Sequence, residues 1–222
     1  MPKFVDHDTR RDEIVGAAWR VIQREGLEGT TIRAIAAEAG ASTAIVTHYF
    51  QDKKDILKSA LRMSQSRIAR RRKEALKGLA GLEALEASLA ESLPLDDDRR
   101  LELHIEVSFW ARAISDEESA TEHLRSHDTW RAVIASSVQD CVELGEIGPC
   151  DVLEVADTLV ALVDGLGVDA LMHPERLPPE RQRLVVRREL ERLRSSTDHN
   201  DPVRESRHQR VGPGPQPLDG AG

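Results

Sequence analysis

Aromatic residues are scarce in this chain: three Trp, three Phe and one Tyr in 222 residues. So few rings exclude a surface built mainly on stacking, and they leave any aromatic cage only a handful of candidates. Cysteine is scarcer still. Cys141 and Cys150 match no zinc or dithiol spacing, and buried free thiols of a reducing compartment are expected. No apolar run nears the roughly 20 residues of a membrane helix. The opening MPKFVDHDTRRDE has no apolar signal-peptide segment. Strand-like alternation is missing. So are GxSxG, the P-loop, GxGxxG and HExxH, which removes the recognisable routes to a hydrolase, nucleotide, dinucleotide or zinc-protease site. His123 and His127 have the spacing of a two-histidine metal pair but no third-ligand pattern, and are read as exposed helix residues. The expectation is a cytoplasmic all-α protein with no cofactor, no metal and no membrane association.

An excess of positive charge is also missing, the formal net charge being −8. Its distribution is uneven. Residues 1–60 hold nine basic and nine acidic residues, and 61–80 hold seven basic against Glu74 alone. Residues 81–200 hold twelve basic against twenty-six acidic, a net of −14. The first eighty residues are the basic end of an acidic chain, a polarity that can orient a protein on a polyanion. Arg70, Arg71, Arg72 and Lys73 form its densest run; a solvated helix face is the competing reading for about half of them.

Apolar residues recur with a helical period. Over 9–25, Ile14, Ala18 and Ile22 mark one face, Asp12 and Glu13 lie near the start, and Gly26 follows as a stop. Thr30 or Thr31 can cap a second helix that buries Ile32, Ile35, Ala36 and Ala39. Gly40 supplies the positive φ of a sharp turn, and Ser42 can cap a third helix over 43–50. That helix is about two turns long and cannot stand alone. Val46 and Phe50, four apart, must anchor it, with Thr43, Thr47 and His48 outward. A long basic helix is predicted over 53–77, broken at 78–81. Further helices are predicted near 82–92, 98–115, 117–145 and 150–171, and from Pro178-Pro179 to about residue 194. Over 196–222 hydrophobes nearly vanish, and a disordered tail is expected.

Two short helices, a tight turn and a third helix are the outline of a helix-turn-helix, which lays its last helix in the DNA major groove. Gly29-Thr30-Thr31, Ile35-Ala36, Ala39-Gly40, Ser42, Thr47-His48-Tyr49-Phe50, Lys53 and Ile56-Leu57 fall in register over residues 9–60. Together they resemble the TetR family of transcriptional regulators. The run Ser-Thr-Ala-Ile-Val-Thr-His-Tyr-Phe is most similar to the choline-responsive, BetI-like branch. Members more often carry Gly at position 44 and Tyr at position 47, so Thr47 shortens the reach to the bases. The resemblance implies a helix-turn-helix domain over 1–60, with its motif at about 31–50, and a helical ligand-binding and dimerisation domain over 61–195. It implies a repressor that binds a palindromic operator on double-stranded DNA as a homodimer and is released by a small-molecule effector. By position it implies Thr31 on a phosphate and Arg33 on a phosphate or guanine edge. Ser42, Thr43, Ala44, Thr47 and His48 would face the groove and Tyr49 a phosphate. Lys53 would hold another phosphate with the free N–H groups of the fourth helix.

Effector pockets of this family lie among the helices after the basic one, which makes His104, Glu106, Phe109, Trp110 and Trp130 the candidate lining. A cationic effector is one expectation, from the acidity of 81–200 and the branch resemblance. Quaternary ammonium ions favour aromatic cages, and with so few rings Glu106 would have to help. The competing reading makes these rings core and the acidity surface solvation. Residues 150–171 are apolar on more than one face. Val155, Leu159, Val163 and Leu166, with Leu184 and Leu190, are read as a two-helix dimer seam, against the alternative of a helix buried inside one subunit. A dimer would set two recognition helices about 34–36 Å apart. Two other functions stay open here: a protein–protein adaptor on a helix-turn-helix, and a small helical enzyme assembled from scattered acids and histidines.

Overall fold

A computed structural model describes residues 7–199, and among them the chain forms nine α-helices and no strand. The helices are α1 His7–Gly29, α2 Ile32–Glu38, α3 Thr43–Tyr49, α4 Lys53–Ala75, α5 Gly81–Ala90, α6 Asp97–Ala113, α7 Glu117–Glu143, α8 Val152–Met172 and α9 Pro179–His199. The last helix runs five residues past the predicted stop at 194; the remainder of the expected tail, from 200 onward, lies outside the described residues.

Local chemistry sets most boundaries. Thr31, Ser42, Asp52, Asp96, Asp116 and Asp151 each stand just before a helix and accept from a backbone N–H of its first turn. Gly40, at φ 59°, makes the turn between α2 and α3. At α5 the cap comes from elsewhere in the fold. Ala80 has no capping side chain, and Glu146, in the α7–α8 connection, accepts from the Leu82 N–H at 2.7 Å. Gly81 admits that carboxylate: its φ is 55°, and a Cβ there would stand 1.8 Å from a Glu146 oxygen.

Two hydrophobic cores follow. The first joins Ile14, Val15, Trp19 and Ile22 of α1 to Ile35, Val46, Phe50, Ile56, Leu57 and Leu61. It also takes in Ile105 and Phe109 of α6, so the head does not close at residue 60. The second joins Leu85, Leu89, Ile134, Val138, Leu159, Val163, Val186 and Leu190, from α5, α7, α8 and α9. α4 starts in the head and ends beside the second core, and α6 touches both α1 and α8. Both cysteines are free; Cys141 is buried, but Cys150 is exposed rather than buried.

Candidate functional site

The head presents α3 as an outward rod. Val46 is its single buried side chain, and Phe50, the extended residue that ends it, is 1% exposed. Ser42, Thr43, Ala44, Thr47 and His48 are all exposed. Thr47 spends its proton on the Thr43 and Ala44 carbonyls at 3.0 and 3.2 Å, which leaves its oxygen outward as an acceptor. Thr31 and Arg33 are exposed at the start of α2, while Lys53 opens α4 half-buried. Tyr49 is half-buried, its ring 4.5 Å from that of His7 and 5.2 Å from that of His48.

Sequence reasoning missed two groups here. Arg11 of α1 donates to the Tyr49 carbonyl at 2.8 Å, lies 4.2 Å over the Phe50 ring and pairs with Asp55 at 3.5 Å. It pins the end of the reading helix to α1 and α4. Ile45 is 40% exposed beside the hydroxyls, an apolar group of the kind that meets thymine methyls.

Below the head, α4, α6, α7 and α8 enclose a cavity of about 370 Å³. Glu106, Trp110 and Trp130 line it, as expected. His104 does not: it is exposed on the opposite side of α6. Phe109 belongs to the head core and borders only a smaller adjoining cavity. His123 and His127 were read as exposed, yet both are half-buried in the cavity wall, on the α7 stripe that carries Trp130. Their rings are 5.6 Å apart, and among the described residues no group of three metal-ligating side chains forms.

The electrostatics of this cavity are unbalanced. Burial pushes the Glu106 carboxyl up to about 7, with Asp164 and Glu102 adding repulsion and Arg72 opposing it. Burial likewise pushes Asp164 up to about 6, against the pull of His127 at 3.8 Å. No hydrogen bond or ion pair among the described residues engages Glu106. Arg72, missed as a wall residue, lies 4.0 Å over the Trp130 ring, its charge disfavoured by burial to about 10. Its neighbour Arg71 pairs with Glu91 at 3.1 Å and with Glu102. The inner half of the basic run therefore faces the acidic domain and not a polyanion, while Arg70 and Lys73 stay exposed.

The dimer seam needs correction. Leu159, Val163 and Leu190 are 0%, 1% and 4% exposed within the protomer's own core, because the α5–α7 layer covers them. Val155 and Leu166 are half-buried against the same core, and only Leu184, at 43%, is open. The outward face of α8 instead shows Thr158, Ala161, Gly165 and Met172.

A helix-turn-helix head on a helical body with an internal charged cavity defines a ligand-responsive DNA-binding regulator. Comparison with known proteins agrees. Residues 14–60 match the model of bacterial regulatory proteins of the tetR family, and residues 81–195 match the C-terminal domain of BetI-type transcriptional repressors. The chain is 31% identical over 201 residues to the HTH-type transcriptional regulator PksA of Bacillus subtilis, covering 87% of this chain and 94% of that one. It is 31% identical over 172 residues to the HTH-type transcriptional regulator BetI of Burkholderia thailandensis, covering 75% and 84%. A transcriptional regulator from Saccharomonospora viridis, solved in complex with choline, superposes with a TM-score of 0.77 at 28% identity, over 82% of this chain and 95% of that one. The chain belongs to the TetR family, on its BetI-type branch. It is a DNA-binding transcriptional repressor that acts as a homodimer and is released from its operator by a small molecule. Among the described residues no helix is long and apolar enough to cross a membrane.

Proposed function

We propose that the inducer is a small organic cation of the choline type, held in the cavity between Trp110, Trp130, Glu106 and Asp164. One observation carries this reading: Glu106, which has no ion-pair partner, and Asp164, which faces only His127 at 3.8 Å, stand half-buried in the cavity wall beside two indoles, in a space sized for a small molecule. Quaternary ammonium ions bind by that combination of ring face and nearby negative charge. The choline found in a similar regulator supports it.

In this reading Thr31, Arg33, Tyr49 and Lys53 grip phosphates, while Ser42, Thr43, Ala44, Thr47 and His48 face the major groove. The head comprises α1–α3 with the first half of α4, and the body comprises the rest to the end of α9. The partner subunit packs on the outer faces of α8 and α9, through Ala161, Gly165, Met172 and Leu184. The small residues let the helices approach closely. The protein works in the cytoplasm and by binding rather than catalysis, as membership of a regulator family supports. Genome-wide footprinting identifies the operator, and a mobility shift on that duplex then tests release. Choline should free the DNA from the parent protein and fail to do so from Trp130→Ala. Release by an anionic or neutral ligand alone would overturn the cationic reading.

A further inference from the structure

We propose that Arg72 is a built-in competitor for the effector: its guanidinium occupies the Trp130 face in the empty protein, and the effector binds by displacing it. This rests on the cationic reading above.

Arg72 stands in the last turn of α4 and leans into the cavity, 4.0 Å over the Trp130 ring. That is the position a cationic ligand would claim. The rest of its anchorage is thin. Its Nη2 reaches the Ser92 hydroxyl only at 3.4 Å, and its Nε is shut from solvent with no hydrogen-bond partner. Among the described residues no carboxylate comes within ion-pair distance of it, whereas Arg71 next door is held by two. Glu106, without an ion-pair partner, and Asp164, with only His127 at 3.8 Å, stand on other walls, on α6 and α8. Of the arginines in the wall, Arg99 and Arg125 pair with carboxylates, while Arg72 rests on a ring and forms no ion pair with Glu106 or Asp164. A free cation can sit on Trp130 and touch Glu106 or Asp164 together, so it gains what Arg72 cannot. Once displaced, Arg72 no longer ties the last turn of α4 to the Trp130 wall, and α4 is the helix whose first residue, Lys53, belongs to the DNA-binding head.

An opposing role is concrete: Arg72 could pair with an anionic group of the ligand. The sign of one effect separates the two. Calorimetric titration of the full-length protein with choline chloride is run on the parent, Arg72→Gln, Arg72→Lys and Arg70→Gln, with melting curves for each. Removing the competitor should tighten choline binding roughly 2- to 30-fold in Arg72→Gln, the range of a cation–ring contact. Arg70→Gln, the same charge loss at an exposed neighbour, should leave affinity unchanged. Equal or weaker binding by a folded Arg72→Gln overturns the exchange. If that variant does not fold, Arg72→Lys decides: tighter binding than the parent supports the exchange, and equal or weaker binding overturns it. If choline, tetramethylammonium and spermidine bind none of these proteins, the cationic reading itself falls and the exchange falls with it.

Discussion

Arg71 of α4 grips Glu102 of α6 with two prongs, Nη1 to Oε1 at 2.8 Å and Nη2 to Oε2 at 2.6 Å. Glu102 is 1% exposed, and Arg67 adds a third contact at 3.4 Å. Arg67 in turn lies 4.9 Å over Trp19 of α1, whose indole donates to the Ala60 carbonyl at 3.1 Å. One turn further along α6 stands Glu106, in the cavity. A contiguous chain of charged and aromatic groups therefore joins the cavity to the head. Arg71→Ala should lower stability by about 3 kcal/mol, because a buried carboxylate loses its best partner. Urea unfolding measures this, and a loss below about 1 kcal/mol would mean that Arg67 alone suffices.

Cation affinity should depend on pH with a definite sign. The groups around the site are Arg99, Glu102 and Glu106 on α6, Asp164 on α8, Glu122, His123, Arg125 and His127 on α7, Glu91 just after α5, and Arg72 on α4. His123 is held below its ordinary value by burial and then by His127, so it does not oppose the ligand near neutrality. Glu106 and Asp164, raised to about 7 and about 6, keep protons in the empty protein that a cation would expel. Choline affinity should therefore rise as pH climbs from about 5.5 to about 8, with proton release on binding. Without ligand, these same two groups should cost stability as pH rises from about 4 to about 7, since the folded state resists their ionisation. Calorimetry in buffers of different ionisation heat reads the protons, and Glu106→Gln should flatten the upper part of the profile.

Operator binding should weaken steeply with salt, because neutralised phosphates release counterions. Lys53→Ala should reduce the slope of log K against log salt by about 2 for the dimer, one phosphate in each half-site. Arg33→Ala should either do the same or relax the choice of one base. A titration on the footprinted duplex distinguishes them, and an unaltered slope in Lys53→Ala would remove that residue from the phosphate set.

Phe50→Ala should cost about 3–5 kcal/mol and abolish operator binding, since the ring anchors both the reading helix and Arg11. A variant that melts normally and still binds DNA would show that α3 is held by something other than this wedge.

Gly81→Ala should be destabilising in a way that no helix propensity foretells. It forces a side chain into a positive-φ position and against the Glu146 carboxylate that caps α5. A loss of about 1–3 kcal/mol is expected by thermal melting. Glu146→Gln keeps the oxygen and should cost less.

The head was legible because its signals are local. Caps at Thr31 and Ser42, the turn at Gly40 and the pair Val46 and Phe50 each act within a few residues, so spacing alone located α2 and α3. The body was legible only as helices. Periodicity marked Leu159 and Val163 as apolar, but it says nothing about which neighbour covers them, and the cover turned out to be the protomer itself. His104 and Glu106 are two apart and look alike as candidates, yet the rotation of α6 sends one to solvent and the other to the cavity.

Composition and short-range pattern by themselves determined that this chain is all-helical, carries a helix-turn-helix and turns a hydroxyl-rich rod outward, since each depends on hydrogen bonds and packing between near neighbours. Tertiary structure alone decided where the charges act. Arg71 and Arg72 read as a basic surface, but folding laid α4 against α5, α6 and α7 and turned them onto Glu102 and Trp130. The energy of a charge depends on the groups and the water around it, and those are supplied by residues far away in the chain.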